Sequence, residues 1–167
     1  MGKMTNEDKE LFVKCVEELS AHTNFTELKK YKHHHNTSTY IHSIWVAYLS
    51  FYISRALKLK VDPETIIYGA LLHDYYLYDC HEDGVEKHLT KHPLLAAANA
   101  NRDWGINKIQ ENIITRHMFP ITPIPPKYKE SIIVNMADKL CALYECTSKR
   151  PYQKRKLSLM LAHCYTV

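Results

Sequence analysis

Glycine is scarce, 4 in 167 residues, proline reaches only 7, and no tract is of low complexity, so collagen-like and disordered chains are excluded. No apolar run approaches the roughly 18 residues a membrane span needs. The first twenty residues carry Lys3, Glu7, Asp8, Lys9, Glu10, Lys14, Glu17 and Glu18 where a signal peptide needs an apolar centre. These absences predict a cytoplasmic protein with no membrane partner. Charge of one sign is lacking too. The 22 Lys plus Arg stand against 18 Asp plus Glu, a formal net charge of +4, too small and too evenly spread for duplex nucleic acid, while small anionic ligands stay open. The five cysteines (Cys15, Cys80, Cys141, Cys146, Cys164) are odd in number and form no C-x-x-C. Neither a disulfide framework nor a zinc finger is expected; they read as reduced packing residues.

What is present is enough apolar sequence, 46%, to bury one core, and a helical period almost throughout. The expectation is an all-α single domain over 1–167, a helical bundle of about six to seven helices. Thr5 and Asp8 form a capping pattern that opens a helix over 5–21. The longest helix is expected over 38–60, where Ile41, Trp45, Tyr48, Leu49, Tyr52 and Ile53 recur at three- and four-residue spacings. Asp62-Pro63 supplies an N-cap and a first-turn proline for a helix ending at His73-Asp74. Further helices are expected over 92–104, 106–118, 127–146 and 152–163, the last amphipathic through Leu157, Met160 and Leu161.

Histidine stands out: eleven residues, several in apolar surroundings. Asp138 lies in a segment whose apolar positions cover most of the helix circumference, and buried carboxylates are usually paired or bind a metal. Alone, it reads equally well as a surface Asp beside Lys139. His73-Asp74 sets two metal-capable side chains at the end of a buried helix; alone, such a dipeptide more often makes a polar helix terminus. His42, between Ile41 and Trp45, would alone read as a hydrogen-bonded core histidine. The run His33-His34-His35 reads as a solvated loop, from which His34 or His35 could approach a site mouth.

Jointly, the order His42, His73-Asp74, His92, His117, Asp138, each on or at the end of a predicted helix, is far more specific than any member. The phrases Tyr40-Ile41-His42-Ser43-Ile44-Trp45-Val46-Ala47, Gly69-Ala70-Leu71-Leu72-His73-Asp74, Lys91-His92-Pro93-Leu94-Leu95-Ala96, Ile113-Ile114-Thr115-Arg116-His117 and Met136-Ala137-Asp138-Lys139-Leu140 resemble the HD-domain superfamily of metal-dependent phosphohydrolases. The resemblance covers about 35–146, with helices 5–21 and 152–163 expected to pack on that core. It implies that His42, His73, Asp74 and Asp138 bind a first metal, and that His92 and His117 add a second bridged by Asp74. Met118 and Phe119 after His117 depart from the cyclic-dinucleotide phosphodiesterase branch, which has paired histidines there and a Gly-Tyr-Pro signature.

Imidazole and carboxylate ligands without thiolate suit one or two divalent transition-metal ions, Mn, Fe, Co, Ni or Zn. The implied activity is hydrolysis of a small phosphorylated metabolite or nucleotide by a metal-activated water, as phosphomonoesterase, phosphodiesterase or pyrophosphohydrolase. No P-loop, G-x-G-x-x-G or G-x-S-x-G offers a rival chemistry. Asp74, His88 and Lys139 are the candidate catalytic residues, and Lys87, Arg116 and Tyr75 the candidate substrate contacts. Two other readings stay open: an HD-type di-iron oxygenase with the same six ligands, and a non-catalytic metal-stabilised nucleotide-binding module. A homo-oligomer also stays open.

Overall fold

Side-chain caps start most of the helices. In the computed structural model, which describes residues 4–33, 37–78, 85–148 and Tyr152 (of 85–88 the backbone alone), Thr5 and Asp8 cap each other's backbone N–H and open α1, Asn6–Ser20. A short α2, Thr23–Glu27, follows. Ser38 caps α3, Thr39–Ala56, and the Asp62 carboxylate accepts the Thr65 N–H at 2.7 Å to open α4, Pro63–Leu71, with proline in the first turn. Next come α5, Val85–Trp104, and α6, Lys108–Arg116, which begins on a capping box of Asn107 and Gln110. The last is α7, Lys129–Thr147.

Among the described residues there is no strand, and the chain folds as the all-α bundle its periodicity predicts. α3 packs chiefly against α4 and α7, and α6 against α4, α5 and α7, while α1 covers α4. Phe12, Leu19, Phe25, Ile44, Phe51, Ile66, Leu71, Ile113 and Val134 fill the space between them. Each large apolar side chain so buried contributes about 1.5–3 kcal/mol. No helix among the described residues is long and apolar enough to cross a membrane.

The departures from expectation have local causes. The sequence reading missed α2, a single turn held by Phe25, whose ring packs among Tyr40, Tyr75 and Trp104. α3 stops short of 60 because Leu57 leaves helical geometry and Lys58 takes a positive φ of 53°. α5 begins at Val85 rather than 92 and runs through Pro93. His73 and Asp74 stand in the turn after α4, and His117 caps the end of α6, so these residues follow their helices instead of lying within them. Of the expected helix over 152–163 only Tyr152 is described; the remainder lies outside the described residues.

Gly69 fixes the spacing between α4 and α6. A Cβ there would lie 2.5 Å from Ile113 Cδ1 and 3.4 Å from Ile113 Cβ, and Ile113 is fully buried. Gly69→Val should therefore overpack this contact by about 1–3 kcal/mol, more than the few tenths gained in helix propensity, and lower the melting temperature by several degrees. An unchanged melting curve would contradict this account of the α4–α6 contact.

Candidate metal centre

Six side chains converge from five helices. His42 comes from the second turn of α3, His73 and Asp74 from the turn after α4, His92 from α5, His117 from the end of α6 and Asp138 from the middle of α7. None is more than 8% exposed. His42 Nε2 lies 3.1 Å from Asp138 Oδ1, and His73 Nε2 lies 3.6 Å from the same oxygen and 3.5 Å from Asp74 Oδ2. Asp74 Oδ1 faces the other way, 3.3 Å from His92 Nε2 and 3.4 Å from His117 Nε2, and those two nitrogens are 2.8 Å apart. Asp74 thus divides its two oxygens between two histidine sets.

Hydrogen bonds at the rim assign the tautomers. His73 donates Nδ1–H to Ala70 O and His117 donates Nδ1–H to Ile114 O, both at 2.7 Å. His42 donates Nδ1–H to Glu145 Oε1 at 2.9 Å. Each ring therefore commits Nδ1 to the rim and turns Nε2 inward, where a cation could take the place of any proton it carries, the arrangement in which a second partner orients a ligating imidazole. His73 Nε2 and Asp74 Oδ1 are buried without any hydrogen-bond partner. An orphaned group of this kind costs about 1–3 kcal/mol, and a bound cation would satisfy both. The donor set, imidazole and carboxylate only, fits a divalent transition metal.

The charges are strongly coupled. Burial would raise the pKa values of Asp74 and Asp138, but the surrounding histidines hold both well below the usual carboxylate range. Burial likewise disfavours charge on His42, yet Asp138 and Glu145 outweigh it and raise its pKa to about 9. Glu145, against burial, is held down to about 2 by His33 and His42. At His117 burial wins and the pKa falls.

Three contributors escaped the sequence reading. Glu145, fully buried near the end of α7, accepts from both His42 and His33. Asn135 donates its amide to the carbonyls of His117 at 2.6 Å and Phe119 at 2.9 Å, holding the end of α6 against α7. His33, expected in a solvated loop, points inward with a side chain 15% exposed, 3.3 Å from Asp74. His34 and His35 lie outside the described residues. For Glu145 the available signal was its spacing: seven residues, two helical turns, after Asp138.

The expected auxiliary residues fare differently. Lys139 donates its ammonium to His117 O at 2.9 Å and Asn135 O at 3.4 Å, and burial lowers its pKa, so it braces the turn that carries His117 rather than standing free for a phosphate. Tyr75 is wholly buried, packs on Trp104 and Phe25 and donates its hydroxyl to Asp103 at 2.8 Å, which makes it a core residue. Tyr76 instead meets the His92 ring edge-on at 5.6 Å. Arg116 is half-buried beside His117. The side chains of Lys87 and His88 lie outside the described residues.

A helical bundle closed around a buried histidine–aspartate cluster defines a class of metal-binding all-α proteins. The HD domain family matches residues 39–143, and the chain belongs to it, a family whose members are generally metal-dependent hydrolases. No curated protein and no solved structure matches significantly.

The pKa shifts fix a pH signature for the metal-free protein. The raised His42 value means that its protonated form contributes stability in full below about 6.5, which is lost as pH rises through about 9. The lowered Glu145 value contributes stability present above about 4.5 and lost as pH falls toward about 2. Metal requires the deprotonated ligands, so loading should abolish the alkaline loss. Melting curves of chelator-treated and metal-loaded protein from about pH 5 to about pH 10 test this; a metal-free protein as stable at the alkaline end as at neutrality would refute it.

Proposed function

We propose that the chain is a metal-dependent phosphohydrolase acting on a small phosphorylated metabolite or nucleotide. The observation that carries the reading is the division of the Asp74 carboxylate, Oδ2 toward His73 and Oδ1 toward His92 and His117. His42, His73, Asp138 and Asp74 Oδ2 would hold one divalent ion, and His92, His117 and Asp74 Oδ1 a second. Such ions lower the pKa of a coordinated water toward neutrality and polarise a phosphoryl oxygen. Glu145 orients His42, and Asn135 and Lys139 orient the turn bearing His117, so the ligands are set before substrate arrives. Arg116, Lys87 and His88 are the proposed phosphate contacts. A cysteine nucleophile finds no support at Cys15 or Cys141, whose thiols burial pushes up to about 11 and about 12, leaving them neutral near pH 7.

The deciding experiment measures metal content of protein purified without added metal, then screens phosphomonoesters, phosphodiesters and nucleoside triphosphates with several divalent ions, with and without oxygen. Oxygen-independent phosphate release in Mn or Co is expected. Turnover that requires both iron and oxygen would install the oxygenase reading, and ligand binding without turnover the binding module. Asp74→Asn and Asp138→Asn keep the side-chain volume but weaken charge compensation of the ion, so activity should fall at least about 10²-fold while helical circular dichroism shows the fold retained. Asp62→Asn, at the α4 cap, should leave turnover near normal and cost at most ~1–2 kcal/mol. His92→Ala should remove one equivalent of metal and spare the other, and an unchanged metal content would overturn the two-ion arrangement.

A further inference from the structure

We infer that His33 is an additional ligand of the metal centre, joining His42, His73, Asp74 and Asp138 around one ion. The inference deepens the metal-dependent reading above and rests on it. His33 lies in the segment between α2 and α3, nine positions before His42. Its backbone is pinned: His33 N–H donates to Thr37 O at 2.9 Å, and Thr39 N–H donates to Tyr31 O at 2.9 Å, tying the base of the loop to the start of α3. The ring stacks on that of His42, centroids 3.7 Å apart and planes 23° from parallel.

The two stacked rings receive identical treatment. Glu145 Oε1 accepts from His42 Nδ1 at 2.9 Å, and Glu145 Oε2 accepts from His33 Nδ1 at 3.0 Å. A carboxylate that takes an Nδ1–H from each ring fixes both ring orientations and leaves Nε2 of each as the nitrogen directed away from it, where a cation can replace its proton. His42 Nε2 then faces Asp138 Oδ1 at 3.1 Å, and His33 Nε2 faces Asp74 Oδ2 at 3.3 Å. That oxygen is the one directed at His73, not the one directed at His92 and His117, so His33 belongs to the first set. Glu145 would need only one oxygen to orient His42; the second is used on His33, and the carboxylate is wholly buried in doing so.

His33, His42 and Glu145 also cluster closely enough to suggest an ion of their own. The Nδ1 to carboxylate distances are ordinary hydrogen-bond lengths, and one proton on each ring satisfies both oxygens. An ion there would remove the group that orients His42. With His33 as a ligand, the first ion has one fewer position open to water or a substrate oxygen than the four-residue set would leave.

The test uses the full chain loaded with one equivalent of Co(II). Each ligating histidine with a protonated Nδ1 gives one exchangeable, hyperfine-shifted proton resonance, and chelator competition gives the affinity. His33→Phe keeps the stack on His42 but cannot ligate; His33→Ala removes both. Both variants are expected to lose one exchangeable resonance and to bind the first equivalent about tenfold more weakly, with unchanged circular dichroism. A His33→Phe protein with the wild-type resonance count and affinity would overturn the assignment of His33 while leaving the metal-dependent reading intact. Wild-type protein that takes up no metal would overturn both.

Discussion

The carboxylates of Asp74, Asp138 and Glu145 are buried side by side in a bundle of apolar helices, and such a concentration of negative charge is costly there without positive partners. That constraint organises the centre. It accounts for the histidines aimed at the carboxylates from α3, α5, α6 and the turn after α4, and for pKa values displaced in opposite directions at His42 and Asp138. In the absence of metal, protons on the imidazoles supply the compensation; a bound cation would supply it instead. The two are mutually exclusive at each nitrogen, so affinity for such an ion would rise with pH until the rings are deprotonated.

Helix termini solve the orientation problem at little cost. The last carbonyls of an α-helix have no partner within it. At the ends of α4 and α6 the ring three residues on donates its Nδ1–H back to such a carbonyl, His73 to Ala70 O and His117 to Ile114 O. One hydrogen bond thereby satisfies an orphan acceptor, fixes the tautomer and directs the lone pair inward. This is the physical reason His73 and His117 fall just past their helices rather than inside them, where the same carbonyls would be accepting backbone N–H groups. Close approach of α4 and α6 at Gly69 sets the two rings near enough, 5.0 Å between centroids, to serve one centre.

The helices were legible in the sequence because period and caps are local: Thr5, Asp62 and Ser38 stand where helices begin, and Ile66, Ile67, Ala70 and Leu71 read as a buried face. The six central residues were legible jointly, as an order of histidines and aspartates on successive helices. Glu145 was not, because an acidic residue near a helix end, between Tyr144 and Cys146, reads as solvated; only the packing of α3 on α7 brings it under His42. His33 was hidden for a related reason. A run of three histidines in a polar stretch has no period, and its inward direction depends on backbone hydrogen bonds to Thr37 and between Tyr31 and Thr39. Tyr75 failed in the opposite direction, since a tyrosine beside the His73-Asp74 pair suggests a substrate wall, whereas Asp103, 28 residues on, claims its hydroxyl.

The charge of the centre links ligand number to substrate under the proposed reading. Asp74, Asp138 and Glu145 bring three negative charges, and the neutral imidazoles required for ligation bring none. One divalent ion leaves the cluster net negative, which would repel a phosphate; two leave it net positive, and at low effective dielectric that reversal of sign is worth several kcal/mol at contact distance. On that reading the second histidine pair, His92 and His117, would do more than add an ion, because it would turn an anion-repelling cavity into an anion-attracting one. Asp74 presents a separate oxygen to each histidine set, so that neither ion would have to take the other's ligand. The braces on the second set, Asn135 and Lys139 against the His117 carbonyl, serve the same end, since the Lys139 ammonium adds positive charge behind the ring without occupying a coordinating nitrogen.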